Sequence, residues 1–346
     1  MKKKMILDLI KYHEEKNENE FRRTAYEVAK DFNQSGDYTL SEYIMGLLTP
    51  ANTLSLQANE SNLTFFSKVK LTSSVLPVPE CIRNDLIGVG NAILNKTGVH
   101  KFLFQGVPGT GKTESVKQLA KLLGMDLFEL DASQIIDSRL GQTAKNVKKL
   151  FEEMNTYPLS KHTIFLFDEI DSLALDRVND RDVREMGRAT SALLKGLDDL
   201  REDVVLIATT NLYQMFDKAL SRRFDAVVDF NRYTRQDLED VAEGLLNDQI
   251  SKYPGMKKDC RLFRKIVKLP KTLPMPGEMK NVIRTSLAFS LPGSETGYLS
   301  RLFSAFCPDL KKMNAEDLRK AGFTVRQIGI LKNVSKSSVA RQIGGE

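Results

Sequence analysis

Cysteine is scarce in this chain: Cys81, Cys260 and Cys307 are widely spaced and form no CxxC pair. That scarcity argues against a disulfide framework or a thiolate metal site and fits incidental thiols in a reducing compartment. Long apolar runs are missing too. No stretch approaches the length needed to cross a bilayer. Behind Lys2-Lys3-Lys4, the run Met5-Ile6-Leu7 is cut by Asp8 and Lys11, far short of the apolar core of a signal peptide. The expectation is a cytoplasmic protein with no membrane partner. Internal repeats and low-complexity tracts are absent, as is any motif for a catalytic nucleophile. Proteolysis, if it accompanies this protein, must reside on another chain.

The 346 residues are 41% hydrophobic and 28% charged, enough for a real core and for more than one domain. The net charge of +6 is concentrated at one end. From Lys311 onward eight Lys or Arg face Glu316, Asp317 and Glu346, a surplus of five. A basic tail suits a polyanion partner, and a solvated basic face is the plainer alternative.

Hydrophobic periodicity divides the chain. Residues 1–50 read as a short helical module, with Met5, Ile6 and Ile10 and then Phe21, Ala25, Val28, Ala29 and Phe32 at helical spacing, and a third helix around Ser41–Leu48. Residues 51–79, rich in Asn, Ser and Thr, read as a linker with one short strand at Phe65–Leu71. From residue 80 to 232 apolar strands alternate with amphipathic helices. The predicted strands are Lys101–Gln105, Asp126–Asp131, His162–Asp168, Val204–Thr209 and Ala226–Phe230, which implies an α/β fold with a parallel sheet covered by helices on both faces. Residues 233–292 read as a helical lid and 293–346 as a small helical extension.

The strongest chemical signal is Gly106-Val107-Pro108-Gly109-Thr110-Gly111-Lys112-Thr113, which fits GxxxxGK[ST] between a predicted strand and helix. Its glycines allow backbone N–H groups to turn inward around phosphate oxygens, and the following helix adds its positive end. Lys112 would reach the β- and γ-phosphates of ATP, and the Thr113 hydroxyl would ligate Mg²⁺. A second element, Thr163–Glu169, lifts two acids to the carboxyl edge of the sheet. There Asp168 would hold the metal through water and Glu169 would orient and deprotonate the attacking water. Asp171 continues the acidic run. Asn211, at the tip of the next strand, suits a hydrogen bond to the γ-phosphate or the lytic water, or a helix cap. Arg222 and Arg223 follow a helix. With this strand order they cannot reach a phosphate of their own subunit, but across an interface they would act as arginine fingers.

GVPGTGKT, FLFDEID, ATTN and ALSRRFD, in this order and spacing, resemble the AAA branch of the AAA+ ATPases, which includes proteasomal and membrane-protease ATPases and severing enzymes. The resemblance covers roughly residues 75–290. It implies a P-loop NTPase α/β subdomain with a helical lid, Mg-ATP as cofactor, and a homo-oligomeric ring, usually a hexamer. Gly277–Asn281 resembles the lid helix that touches nucleotide in that branch, without a sensor arginine. Asp131–Phe151 resembles the segment carrying the substrate-gripping pore loop, with Gly141 at its glycine. Arg139 stands where unfoldases carry an aromatic, which argues against gripping arbitrary polypeptide and toward a specific partner or nucleic acid.

Thr324–Ile343 resembles a helix-turn-helix: Ile328 and Gly329 at the helix crossing, Asn333 in a left-handed turn, Val334 as a core plug, Ser335 as a cap and Val339 packing back. Lys336, Ser337, Ser338 and Arg341 would lie on the second helix, after a preceding helix at Ala315–Ala321. Duplex DNA and a structural or protein-docking role both remain open for this extension. At the other end, Asp8–His13, Glu20-Phe21 and Ala29 are similar to small bacterial AAA ATPases encoded beside a subtilisin-like protease in presumed phage-defence pairs. Two functions therefore stand side by side. One is an ATP-driven ring remodelling or regulating a partner protein, a protease among the candidates. The other is a DNA-associated ATPase.

Overall fold

A computed structural model describes residues 3–14, 18–34, 63–71, 77–135, 142–171, 183–212, 218–290, 293–307 and 313–344. The chain divides into two compact units, Met1–Thr64 and Phe65–Glu346. The first contains α1 (Lys3–Glu14) and α2 (Glu18–Gln34). Ala25, Val28 and Ala29 bury the apolar stripe of α2, whereas Leu7 and Ile10 of α1 are exposed. The helix expected around Ser41–Leu48 lies outside the described residues.

The second unit is built on a six-stranded sheet ordered β1-β3-β4-β5-β2-β6. The strands are β1 (Phe66–Lys68), β2 (Lys101–Gln105), β3 (Asp126–Leu130), β4 (Thr163–Phe167), β5 (Val205–Thr210) and β6 (Ala226–Asp229). Five run parallel. The sheet is nonetheless mixed, because β1 pairs antiparallel with β3 at one edge, Phe66 opposite Leu130 and Lys68 opposite Phe128. The expected short strand in the linker is thus an edge of the sheet itself, and it brings Phe66 against Phe165, ring centroids 4.9 Å apart. Every residue of β4 is buried. Since successive side chains point to opposite faces, both faces of the sheet are covered there.

Helices α3 (Glu80–Asn95), α4 (Lys112–Leu123), α5 (Gln142–Thr156), α6 (Val183–Asp198) and the one-turn α7 (Lys218–Ser221) accompany these strands. The lid is α8 (Arg235–Ile250), α9 (Cys260–Lys268) and α10 (Pro276–Ala288). Thr234 and Asp237 form a capping box at the start of α8, and Pro276 opens α10 at the position where a missing N–H costs nothing. Then come α11 (Gly297–Phe306), α12 (Ala315–Lys320), α13 (Val325–Lys332) and α14 (Lys336–Gly344). One hydrophobic cluster runs from Phe102 and Ile164 of the sheet through Leu245, Phe263 and Ile283 of the lid to Leu302, Leu318, Ile328 and Val339. The C-terminal helices therefore share their core with the lid. Polar ties reinforce this: Lys265 Nζ donates to the Gly322 carbonyl at 2.6 Å and to Gln327 Oε1 at 3.1 Å, and Ser300 Oγ donates to the Leu331 carbonyl at 2.7 Å. Among the described residues no helix is long and apolar enough to cross a membrane.

Candidate functional site

At the carboxyl edge of β2 the chain turns through Gly106–Gly111 into α4. Gly109 (φ 81°) and Gly111 (φ 96°) hold left-handed backbone that a side chain would strain, which is what lets the loop curl inward. The curl is pinned from within and from the exit of β6. Thr110 Oγ1 donates to the Val107 carbonyl (2.9 Å), Asn231 Oδ1 accepts from the Val107 amide (2.9 Å), and the Tyr233 hydroxyl donates to the Thr110 carbonyl (2.8 Å). Burial raises the pKa of Tyr233 well above the usual phenol range, so it remains a donor. From the lid, the Gly277 amide donates to the Gly109 carbonyl at 2.7 Å. A Cβ on Gly277 would stand 3.0 Å from Gly109 Cα, so a glycine is needed for this approach.

Lys112, at the first turn of α4, is buried, and its ammonium donates to the carbonyls of Gly106 (2.7 Å) and Val107 (3.1 Å) and to Asn211 Oδ1 (2.7 Å). All three of its donors are occupied. Burial lowers its pKa, and the carboxylates of Asp168, Asp171 and Glu169 counter that effect. Asn211, 99 residues away in sequence, has its other side-chain atom on Glu169: Nδ2 donates to Oε1 at 3.0 Å. The amide thus bridges the buried loop lysine and the candidate base. Its backbone N–H donates to Asp171 Oδ1 at 3.3 Å, which gives that acid a place at the strand tip.

Thr113 Oγ1 donates to Asp168 Oδ1 at 2.8 Å. A hydroxyl beside a carboxylate is the donor pair that would hold Mg²⁺, Thr113 directly and Asp168 through water. Among the described residues no group of three or more His, Cys, Asp or Glu could hold a metal by itself. A hydroxyl and a single carboxylate would suit Mg²⁺, which keeps waters and takes its remaining oxygens from phosphate.

These residues line an open cleft of about 280 Å³ whose walls also include Pro108, Glu114, Thr209 and Lys280. The eight-residue loop, Asp168, Glu169, Asn211 and Gly277 therefore converge from four separate segments. The two arginines diverge. Arg223 is tied within its own chain, Nε to Asp198 Oδ1 at 3.2 Å and Nη1 to the Ala219 carbonyl at 2.9 Å. Arg222 is exposed and makes no hydrogen bond or ion pair among the described residues. Neither lines the cleft. Arg139 and Gly141 lie outside the described residues. Thr209 lies within the ATTN segment and Lys280 within Gly277–Asn281, but sequence alone assigned neither a role; Asn231 and Tyr233 follow β6 outside every motif, and as single polar residues they spell no pattern.

In the extension, α13 and α14 meet as expected of a helix-turn-helix. Asn333 is left-handed (φ 57°), Ser335 Oγ accepts from the Ser338 amide at 3.2 Å, and Ile328 and Val339 are fully buried. A Cβ on Gly329 would press on the Val334 carbonyl at 3.0 Å. Val334 is not the core plug expected of it: it is 38% exposed, because its backbone rather than its side chain fills the crossing at Gly329. Lys336, Ser337 and Arg341 are exposed and Ser338 is half-buried.

Comparison with known proteins places this geometry. Residues 102–232 match the family described as "ATPase family associated with various cellular activities (AAA)". The chain is 39% identical over 132 residues to an uncharacterized AAA family ATPase of Sinorhizobium fredii, covering 38% of this chain and 39% of that protein. It is 32% identical over 145 residues to the peroxisomal ATPase PEX6 of Candida glabrata, covering 40% of this chain and 14% of that protein. A longer match, 26% identical over 304 residues, covers 86% of this chain and 73% of a putative 26S proteasome regulatory subunit homolog of Methanocaldococcus jannaschii. The chain thus spans well under half the length of the first two relatives.

Proposed function

We propose that the AAA-family ATPase domain at residues 102–232 hydrolyses ATP, and that the chain spends this energy on remodelling or regulating a partner protein from within a ring of its own copies, a hexamer by analogy with the branch it resembles. The observation that carries the reading is the Lys112–Asn211–Glu169 bridge: one amide holds the phosphate-binding cation and the candidate base in a single hydrogen-bonded unit. When ATP enters, its phosphates replace the carbonyl partners of Lys112, and backbone N–H groups at Gly109–Gly111 donate to their oxygens. Thr113, with Asp168 through water, would hold Mg²⁺, which would supply neutralisation of charge on the β- and γ-phosphates. Glu169 orients a water in line with the γ-phosphate and accepts its proton, and Asn211 fixes where that carboxylate points. Arg222, exposed and without a hydrogen bond or ion pair among the described residues, is the candidate to cross to a neighbouring subunit, and Arg223 keeps its turn in place. A protease on a separate chain is one partner that this reading admits.

The test is a pair of variants read for nucleotide affinity and phosphate release. Glu169→Gln should bind ATP yet release phosphate about 10²- to 10⁴-fold more slowly. Lys112→Ala should lose roughly ten- to hundredfold in affinity itself. Hydrolysis by Glu169→Gln at the rate of the unaltered protein would refute the assignment.

A second reading, DNA association through the extension, is favoured by the left-handed Asn333 turn and the Ser335 cap, which set α14 with Lys336, Ser337 and Arg341 facing outward. It predicts duplex binding that weakens steeply with salt. Binding should be lost on deletion after Pro308. No gel shift of the full chain at low salt, with or without a non-hydrolysable ATP analogue, would dismiss it.

A further inference from the structure

Thr209 lies at the end of β5, two residues before Asn211 and 1% exposed. Its hydroxyl donates to Asp168 Oδ1 at 2.6 Å and accepts from the Glu169 amide at 2.9 Å. Its carbonyl accepts from the Ile170 amide at 2.9 Å. An amide can only donate, so the hydroxyl proton is committed to the carboxylate and the direction of both bonds is fixed.

The bonds fall where the sheet stops supplying them. Phe167 pairs with Ala208 as the last rung between β4 and β5. Beyond it Glu169 adopts left-handed backbone (φ 50°), a conformation that L side chains rarely take and that persists only where surrounding contacts impose it. The Thr209 side chain serves as the missing rung for the Glu169 amide. Through the same oxygen it fixes Asp168, whose Oδ1 then receives two hydroxyls, those of Thr113 and Thr209.

We propose that Thr209 is a positioning residue that locks the metal-side carboxylate and the water-orienting carboxylate into one geometry. The proposal rests on the reading of Asp168 and Glu169 given above. Valine has nearly the same shape without the hydroxyl. In Thr209→Val the Glu169 amide loses its acceptor and Asp168 loses one of its two hydroxyl donors, so the turn is free to relax.

The experiment uses the full chain and measures kcat and KM for ATP, the Mg²⁺ concentration for half-maximal rate, and affinity for a fluorescent ADP analogue in Mg²⁺-free buffer. For Thr209→Val, kcat should fall roughly ten- to hundredfold, the scale of losing a buried hydrogen bond to a charged group. The Mg²⁺ requirement should rise, while KM and ADP affinity stay within about twofold, because Thr209 does not hold the phosphate loop. Thr209→Ser, which keeps the hydroxyl, should recover most of the loss. Should valine prevent folding, Thr209→Ala against Thr209→Ser reads the same contrast. Full activity of Thr209→Val, equal impairment of Val and Ser variants, or loss of ADP affinity in step with kcat would each overturn the role. Glu169→Gln run alongside separates the two claims. An active Glu169→Gln overturns the reading of the cleft, whereas an inactive one beside a fully active Thr209→Val overturns only the role of Thr209.

Discussion

The nucleotide cleft and the C-terminal helices are held together by different forces. In the cleft, side chains from α4, the tip of β4 and the tip of β5 meet through short polar contacts, Lys112 to Asn211 at 2.7 Å and Thr113 to Asp168 at 2.8 Å. In the extension, Leu318, Ile328, Leu331 and Val339 are packed into an apolar core shared with the lid, and capping boxes at Asn314 and Thr324 only set where helices begin. Polar geometry of the first kind does chemistry and contributes modestly to stability, whereas apolar burial of the second kind contributes stability and says little about chemistry.

Variants can break that contrast. The largest effect is expected in the cleft: Asn211→Ala breaks the link between Lys112 and Glu169 and should lower turnover about 10²-fold or more. Its thermal melt should move little, as measured by phosphate release and calorimetry on the same sample. Next comes the extension, where Leu331→Ala should cost about 2–5 kcal/mol in denaturant unfolding. That loss should reach the lid, because the core is continuous, while ADP binding by the folded fraction persists. A turnover defect in folded Leu331→Ala comparable to that of Asn211→Ala would erase the distinction.

Much of the cleft was legible in advance because phosphate chemistry demands fixed residue types at fixed spacing. Gly106–Thr113, Asp168, Glu169 and Asn211 all come together as their motifs suggest. What the motifs could not convey is how the site is braced. Thr209, Asn231 and Tyr233 act through contacts between segments far apart in sequence, and no local pattern encodes such a pairing. The strand expected at Phe65–Leu71 is present as Phe66–Lys68, but its antiparallel place at the sheet edge depends on pairing with β3 and on Phe66 meeting the Phe165 and Phe167 rings of β4. In the extension, turn chemistry gave away Asn333, Ser335 and Val339. Val334 misled because an apolar residue in a turn suggests burial, yet here its carbonyl, not its side chain, fills the crossing.

The paired arginines sharpen the comparison at a smaller scale. Arg223→Ala removes an ion pair with Asp198 that is partly exposed and should cost no more than about 1 kcal/mol of stability. Arg222→Ala should cost none, as urea titrations of both would report. Smaller still is Asn333→Ala, expected to destabilise by about 1 kcal/mol because alanine tolerates the left-handed turn less well than asparagine. An Arg222→Ala variant that unfolds more readily than Arg223→Ala would reverse the roles assigned to them.

The most direct test of a nucleotide site completed between subunits is to mix two inactive variants. Lys112→Ala lacks the cation proposed to bind phosphate but retains Arg222, and Arg222→Ala retains Lys112. In mixed rings, some interfaces pair an intact loop with an intact arginine, so ATP turnover should reappear on mixing and rise with the ratio that maximises mixed contacts. If mixed assemblies form and phosphate release stays at the level of either variant alone, Arg222 does not act across an interface and the ring mechanism is contradicted.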